Sequence, residues 1–282
     1  MKINVYTICK NEVRLAPFYA DYWKALSDDV HVYVYDGMSD DGTREILSEY
    51  PFVTVVDSPQ NQSLDDKFSI DFKNNIWKNS YCDFVMVCDF DETIFSKDIE
   101  TLRSELQYMK DNGYTILSPL SFDIVADDFP DYETGKYLHE LCKYGQNNVI
   151  WYTKPILFNP KEINDINYAM GAHLAQPTGN VKWYYSPSLF MIHAKFVGVE
   201  YQRDRLMRRE LSKFNKDNNY WACTEWLEGG KLEREFEIAK QRRFSWDEAI
   251  NNPQEHYKIA HGGWGEPTKT WNDLNFGNYK QK

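Results

Sequence analysis

The residues best suited to do chemistry lie in one stretch, Cys82-Asp83-Phe84-Val85-Met86-Val87-Cys88-Asp89-Phe90-Asp91-Glu92-Thr93. A short apolar run ends abruptly in three carboxylates, Asp89, Asp91 and Glu92. The run reads as a strand buried on both faces of a sheet, and the acids fall at its carboxyl end, where open α/β sheets bind ligands. Three negative groups this close repel one another unless a divalent cation or a proton compensates them. A second acidic turn, Asp36-Gly37-Met38-Ser39-Asp40-Asp41-Gly42-Thr43, follows another strand at the same expected sheet edge. A metal site at the end of a sheet is the first expectation.

The elements that must position these acids come from the hydrophobic pattern. Lys2 to Cys9, Val30 to Tyr35, Pro51 to Asp57, the stretch before Asp89 and Tyr114 to Leu120 read as strands. Between them, Val13 to Leu26, Thr43 to Glu49, Asp65 to Asn79 and Asp98 to Asn112 read as helices, the second capped by Asp41 or Thr43 and the last closed by Gly113. Strands alternating with helices at this spacing predict an α/β fold, a mostly parallel sheet flanked by helices. The alternation fades after about residue 121. Ser121 to Tyr152 reads as loop-rich, Pro155 to Phe158 and Leu189 to His193 as further strands, and Glu200 to Phe214 as a charged helix. The expected division is a core over residues 1–200, in two halves (1–120 and 121–200). A helical C-terminal extension (201–282) would pack on it.

Composition narrows the function. With 282 residues, 42% hydrophobic and 27% charged, the chain can bury a substantial core. No segment approaches a membrane span, and no signal peptide is read at the start. A net charge of −11 argues against nonspecific nucleic-acid binding. It also requires that any phosphate site be made positive locally, by a metal or by chosen cations such as Lys67 and Lys154. The five cysteines form no CxxC pair and read as reduced thiols, hence a cytoplasmic location. Aromatics reach 16%, and a few of them could stack on sugar rings.

The ordered set Thr7-Ile8-Cys9-Lys10-Asn11-Glu12, Asp36 to Thr43, and Asp89-Phe90-Asp91-Glu92 resembles the glycosyltransferase family 2-like group. That resemblance covers roughly the first 120 residues and implies a GT-A fold, Rossmann-like in its sheet, with 1–200 as the catalytic core, 1–120 its nucleotide-sugar-binding half and 121–200 its acceptor and metal half. It implies a nucleoside-diphosphate sugar donor, with Thr7 and Asp36 toward base and ribose and with Asn11, Glu12 and Asp89 on the donor side; on charge grounds alone, Lys67 and Lys154 are the cations expected beside the diphosphate. Asp89 and Asp91 would be the DxD pair, and Mn²⁺ or Mg²⁺ would sit on Asp89, Asp91 and a downstream histidine, His193. Gly37-Met38 departs from the Asp-Gly that many members carry in the second turn. The acceptor implied is a glycan or lipid-linked glycan, attacked with inversion. The base that deprotonates its hydroxyl is expected among Asp123, Asp165 and His173.

Two other readings stay open on the same residues. Val85 to Thr93 also resembles the first motif of haloacid-dehalogenase-like phosphatases, with Asp89 as nucleophile. A noncatalytic nucleotide- or sugar-binding module is the third. Arg203, Arg205, Arg208, Arg209 and Lys213 form a basic run after His193, read as a solvated face paired with nearby acids.

Overall fold

The computed structural model describes residues 1–59, 63–147, 154–208, 210–218, 226–253, 258–259 and 269–270. The final stretch from His261, expected as a tail or a wrap, lies almost wholly outside the described residues, as do Arg209 and Cys223.

In chain order the first half runs β1 (Lys2–Cys9), α1 (Ala16–Leu26), β2 (Asp29–Asp36), α2 (Thr43–Ser48), β3 (Val53–Asp57), β4 (Ser63–Leu64), α3 (Asp66–Asn75), β5 (Phe84–Asp89), β6 (Glu92–Phe95) and α4 (Ile99–Asp111). Then come β7 (Ile116–Ala126), a short helix Leu138–Leu141, β8 (Tyr144–Asn147), β9 (Leu157–Phe158), β10 (Ile163–Asp165), β11 (Thr178–Gly179) and β12 (Trp183–Val197). Four helices follow among the described residues, Val199–Met207, Lys213–Asp217, Lys231–Arg242 and Trp246–Asn251.

β1 is the pivot of the main sheet. β2 and then β3 lie parallel to one side of it, and β5 pairs in parallel on the other. The chain thus leaves β1 in one direction and returns on its far side. That reversal opens a crevice beyond the carboxyl ends of the strands. Register puts Asp36 beside Cys9 and Asp89 beside Ile8, so both acidic turns rise from adjacent strand ends. Past β5 the sheet is mixed. β9 runs antiparallel between β5 and β7, while β12 pairs in parallel with β7 and antiparallel with β6.

The helices form because their apolar spacing matches a buried stripe. In α1, Phe18, Tyr19, Tyr22, Trp23 and Leu26 are buried against the sheet. α3 begins at Asp65, whose carboxylate accepts from the Phe68 N–H, and α4 at Asp98, which accepts from Thr101. α2 differs from the cap expected: Gly42 holds the N-cap position, and Asp41 instead accepts from the Thr43 and Val13 N–H groups. One apolar layer, with Trp23, Phe84, Leu106 and Phe190, fills the α1/α4 side of the sheet. A second, with Ile70, Trp77, Val85 and Tyr168, fills the α3 side.

The segment expected to be loop-rich is more ordered than its polarity suggested. β7 continues to Ala126 and is buried along almost its whole length, because β12 covers one edge and β8 the other. Its inward Ser118, Ser121 and Asp123 hid the strand. The charged helix expected over residues 200–214 stops at Met207, and Glu210–Leu211 pairs in parallel with β4. Toward the C-terminus, Trp246 lies so close over Gly145 that an added Cβ would meet its ring at 2.1 Å. The indole also donates to the Cys142 carbonyl at 2.5 Å. No helix among the described residues is long and apolar enough to cross a membrane.

Candidate active site

The acidic stretch leaves β5 and re-enters the sheet as β6, so Asp89, Asp91 and Glu92 occupy a tight reversal. Asp89 is the exposed member, with 39% of its side chain accessible, yet both its oxygens are held from beneath. Lys73 donates to Oδ1 at 2.6 Å and Lys154 to Oδ2 at 2.7 Å, and both lysines are buried. Burial alone would raise the Asp89 pKa, but Lys154 and Lys73 hold it well below the usual carboxylate range. Lys154 also lies 2.6 Å from Glu92 Oε1, as an ion pair rather than an aligned hydrogen bond. Glu92 Oε2 accepts the Asp89 N–H at 3.1 Å.

Asp91 belongs to a second cluster. Its Oδ2 accepts from Arg205 at 3.0 Å and lies 3.3 Å from His193 Nε2. Its carbonyl accepts from the Tyr19 hydroxyl and from the Ala194 N–H. The other ring nitrogen of His193 faces Asp123 Oδ1 at 3.0 Å, and Gln146 donates to Asp123 Oδ2 at 3.2 Å. Burial alone would lower the His193 pKa, but Asp91 and Asp123 raise it to about 9. Arg205 reaches Glu12 through Nε and Nη2 at 2.9 and 2.7 Å, and Tyr201 donates to the other Glu12 oxygen.

The structure brings Asp36, Asp89, Asp91, Lys154 and His193 to one edge of the sheet. His173 joins them: burial first, then the Lys154 charge, push its pKa down to about 2, so its ring is neutral. Other expected residues are placed differently. Lys67 pairs with Asp71 on the exposed side of α3, and the lysine that reaches the site is Lys73, well round the helix from it. Glu12 is buried and its carboxylate is committed to Arg205 and Tyr201, so it anchors the Val199–Met207 helix rather than facing a donor. Asn11 exchanges two hydrogen bonds with Asp40 and ties the two acidic-edge turns together. Thr7 is fully buried in β1. Asp36 is held by Ser39, Arg44 and the Cys9 thiol. Asp123 has no exposed surface and its carboxylate is bonded to His193 and Gln146, which removes it from contact with an acceptor hydroxyl. Asp165 pairs with Lys78 at 2.5 Å.

The sequence does not single out Lys73, Tyr201 or Gln146, and it places Arg205 on a solvated basic face, whereas Arg205 is buried on Glu12 and Asp91. Two carried a signal. Lys73 lies on the stripe Ile70, Lys73, Trp77, and Arg205 follows Tyr201 by four residues beside Leu206, so each interrupts an apolar face. A cation on such a face needs a buried partner.

A divalent cation was expected on Asp89, Asp91 and His193. Among the described residues, no group of three or more His, Cys, Asp or Glu is arranged to hold a metal. Both Asp89 oxygens accept from lysines and Asp91 Oδ2 accepts from Arg205; of the expected trio, Asp91 and His193 are the two whose donor atoms face each other directly. That pair fits: a carboxylate oxygen and an imidazole nitrogen 3.3 Å apart can share one cation, with substrate phosphates completing its shell. The charge count agrees. Glu12, Asp89, Asp91, Glu92 and Asp123 oppose Lys73, Lys154, Arg205 and the His193 imidazolium, leaving no surplus positive charge for a diphosphate.

No protein-family model matches the sequence, and no curated protein matches it either. Solved structures resemble the fold. Residues 1–349 of TarS from S. aureus align at a TM-score of 0.42 and 14% identity, over 81% of this chain and 73% of that one. The mannosyltransferase PcManGT from Pyrobaculum calidifontis, in complex with GDP-Man and Mn²⁺, aligns at 0.40 and 13%, over 73% and 61%. Glucosyl-3-phosphoglycerate synthase from Mycobacterium tuberculosis, with Mn²⁺, UDP and glucosyl-3-phosphoglycerate, aligns at 0.31 and 17%, over 43% and 44%. These are likenesses in the course of the chain at low identity, and the chemistry of the site has to be read from its own residues.

Proposed function

We propose that the protein is a glycosyltransferase that moves a sugar from a nucleoside-diphosphate donor to a hydroxyl of a glycan or lipid-linked glycan. One observation carries the reading. Asp36 from the end of β2, Asp89 and Asp91 from the β5–β6 reversal, and His193 from within β12 gather at the sheet edge where the chain order reverses around β1. The motif order that resembles the family 2-like group supports the same conclusion.

In this reading Asp91 and His193 hold Mn²⁺ or Mg²⁺, which when bound supplies the counter-charge for the departing diphosphate. Asp89, locked ionised by Lys73 and Lys154, presents a fixed acceptor to donor hydroxyls. Arg205 keeps Asp91 ionised and oriented. The neutral ring of His173 lies close enough to the lysine–aspartate group to sense its charge, and it positions the donor or acceptor by hydrogen bonding. A base is best tuned near the working pH, and His173 is not. The phosphatase reading needs an Asp89 oxygen free to attack, whereas both are engaged by ammonium groups.

The test is a thermal-shift titration with UDP, GDP and their sugars, in Mn²⁺ and in EDTA. Stabilisation by at least one nucleotide is expected. Absence of any nucleotide effect, with hydrolysis of a generic phosphomonoester that Asp89→Asn abolishes, would replace the transferase with the phosphatase.

A further inference from the structure

A row of polar residues crosses four strands at one level of the sheet. Glu92 on β6 is in register with His193 on β12, His193 with Asp123 on β7, and Asp123 with Gln146 on β8. In-register neighbours on adjacent strands project to the same face, so His193 stands between two carboxylates. The neighbouring positions on the same face, Ser121, Val125 and Met191, are fully buried, and Ile192, Phe122 and Ile124 fill the opposite face. A carboxylate with no exposed surface in such a layer is costly unless it is fully used. Asp123 uses both oxygens, one on His193 and one on Gln146.

We propose that Asp123 is the positioning residue of His193. It fixes the ring with Nδ1 as the donor, leaving Nε2 aimed at Asp91 as the atom available to a divalent cation. A carboxylate can only accept, so the 3.0 Å contact requires the hydrogen on Nδ1. Gln146 holds the carboxylate from its other side and prevents it from turning away. This follows the general pattern in which a ligating histidine donates its second N–H to a buried carboxylate that sets tautomer and ring angle. The inference rests on the proposed function for the cation, though not for the hold of Asp123 on the ring, and it moves Asp123 from the acceptor side to the support of the metal side.

Two measurements test it. Mn²⁺ uptake in the presence of UDP or GDP, followed by electron paramagnetic resonance, is compared for the intact protein, Asp123→Asn, His193→Ala and the double variant. Asp123→Asn should weaken uptake roughly 10–100-fold, and it should add nothing, within about twofold, once His193 is gone. Unchanged uptake in Asp123→Asn, or a full further loss in the His193→Ala background, overturns the proposal. The tautomer of the neutral His193 ring in metal-free protein is read by nitrogen-15 NMR: hydrogen on Nδ1 sustains the assignment, hydrogen on Nε2 overturns it. This second measurement decides the role of Asp123 even if no nucleotide promotes Mn²⁺ binding, a result that would instead remove the proposed function. Should Asp123→Asn fail to fold, Gln146→Met removes only the donor to Asp123 Oδ2. Weaker Mn²⁺ uptake is then expected, and wild-type uptake together with an Nε2 tautomer overturns the proposal.

Discussion

Replacing Lys154 by methionine tests how the acidic turn is held. Lys154 serves two carboxylates that differ in what they keep. Asp89 retains Lys73 and is 39% exposed, so water and the second ammonium still compensate it. Glu92 keeps only the Asp89 N–H, and its side chain is 1% exposed. Stranding a buried charge in this way costs about 3–5 kcal/mol. We therefore expect Lys154→Met to lose about 3 kcal/mol of stability at pH 7.5. Adding Glu92→Gln removes the stranded charge and should recover all but about 1 kcal/mol. Urea unfolding followed by tryptophan fluorescence measures both, the midpoint moving at constant slope. A loss under about 1 kcal/mol for Lys154→Met, or no recovery in the double variant, would show that the ion pairs do not carry the turn.

Two further outcomes follow from the second cluster. Arg205→Ala leaves Glu12 buried without its cation and should cost about 3–5 kcal/mol; Arg205→Lys keeps the charge but not the fork that spans Glu12 and Asp91, and should recover only part of that loss in the same unfolding assay. In metal-free protein the His193 pKa of about 9 lies above the ordinary value of 6.5, so its ion pairs contribute fully below about pH 6.5. That contribution, on the order of a few kcal/mol, is lost as pH rises through 9. Thermal unfolding in EDTA should show wild type converging on His193→Gln between pH 7 and 10, and a difference independent of pH would refute the assignment.

Part of the acidic edge was legible because its signals are local. An apolar run that stops at Asp89 and a turn that begins at Asp36 each mark a strand end, and parallel strand ends in an α/β sheet share an edge, whereas His193, expected at a strand end, lies within β12, which runs on to Val197. The supports were harder to read because they depend on pairings distant in sequence. Arg205 sits 193 residues from Glu12, and only the docked helix shows that it belongs to the site rather than to a solvated basic face. Lys67 and Lys73 lie on one short helix, and only packing reveals which side is covered. The type of Asp123 alone suggests a base. Its register with His193 and Gln146, invisible without the sheet, shows it facing inward. The stretch around it read as loop because buried serines and an aspartate broke the apolar pattern of a covered strand.

We propose that Asp91 and His193 bind a divalent cation together with a nucleoside diphosphate. Calorimetric titration of UDP and GDP into wild type and His193→Ala, each with Mn²⁺ and with EDTA, tests it most directly. Wild type should bind at least one nucleotide in Mn²⁺, and that binding should be strongly reduced in EDTA and in His193→Ala. Nucleotide binding of equal strength in all four conditions, or in none of them, would contradict it.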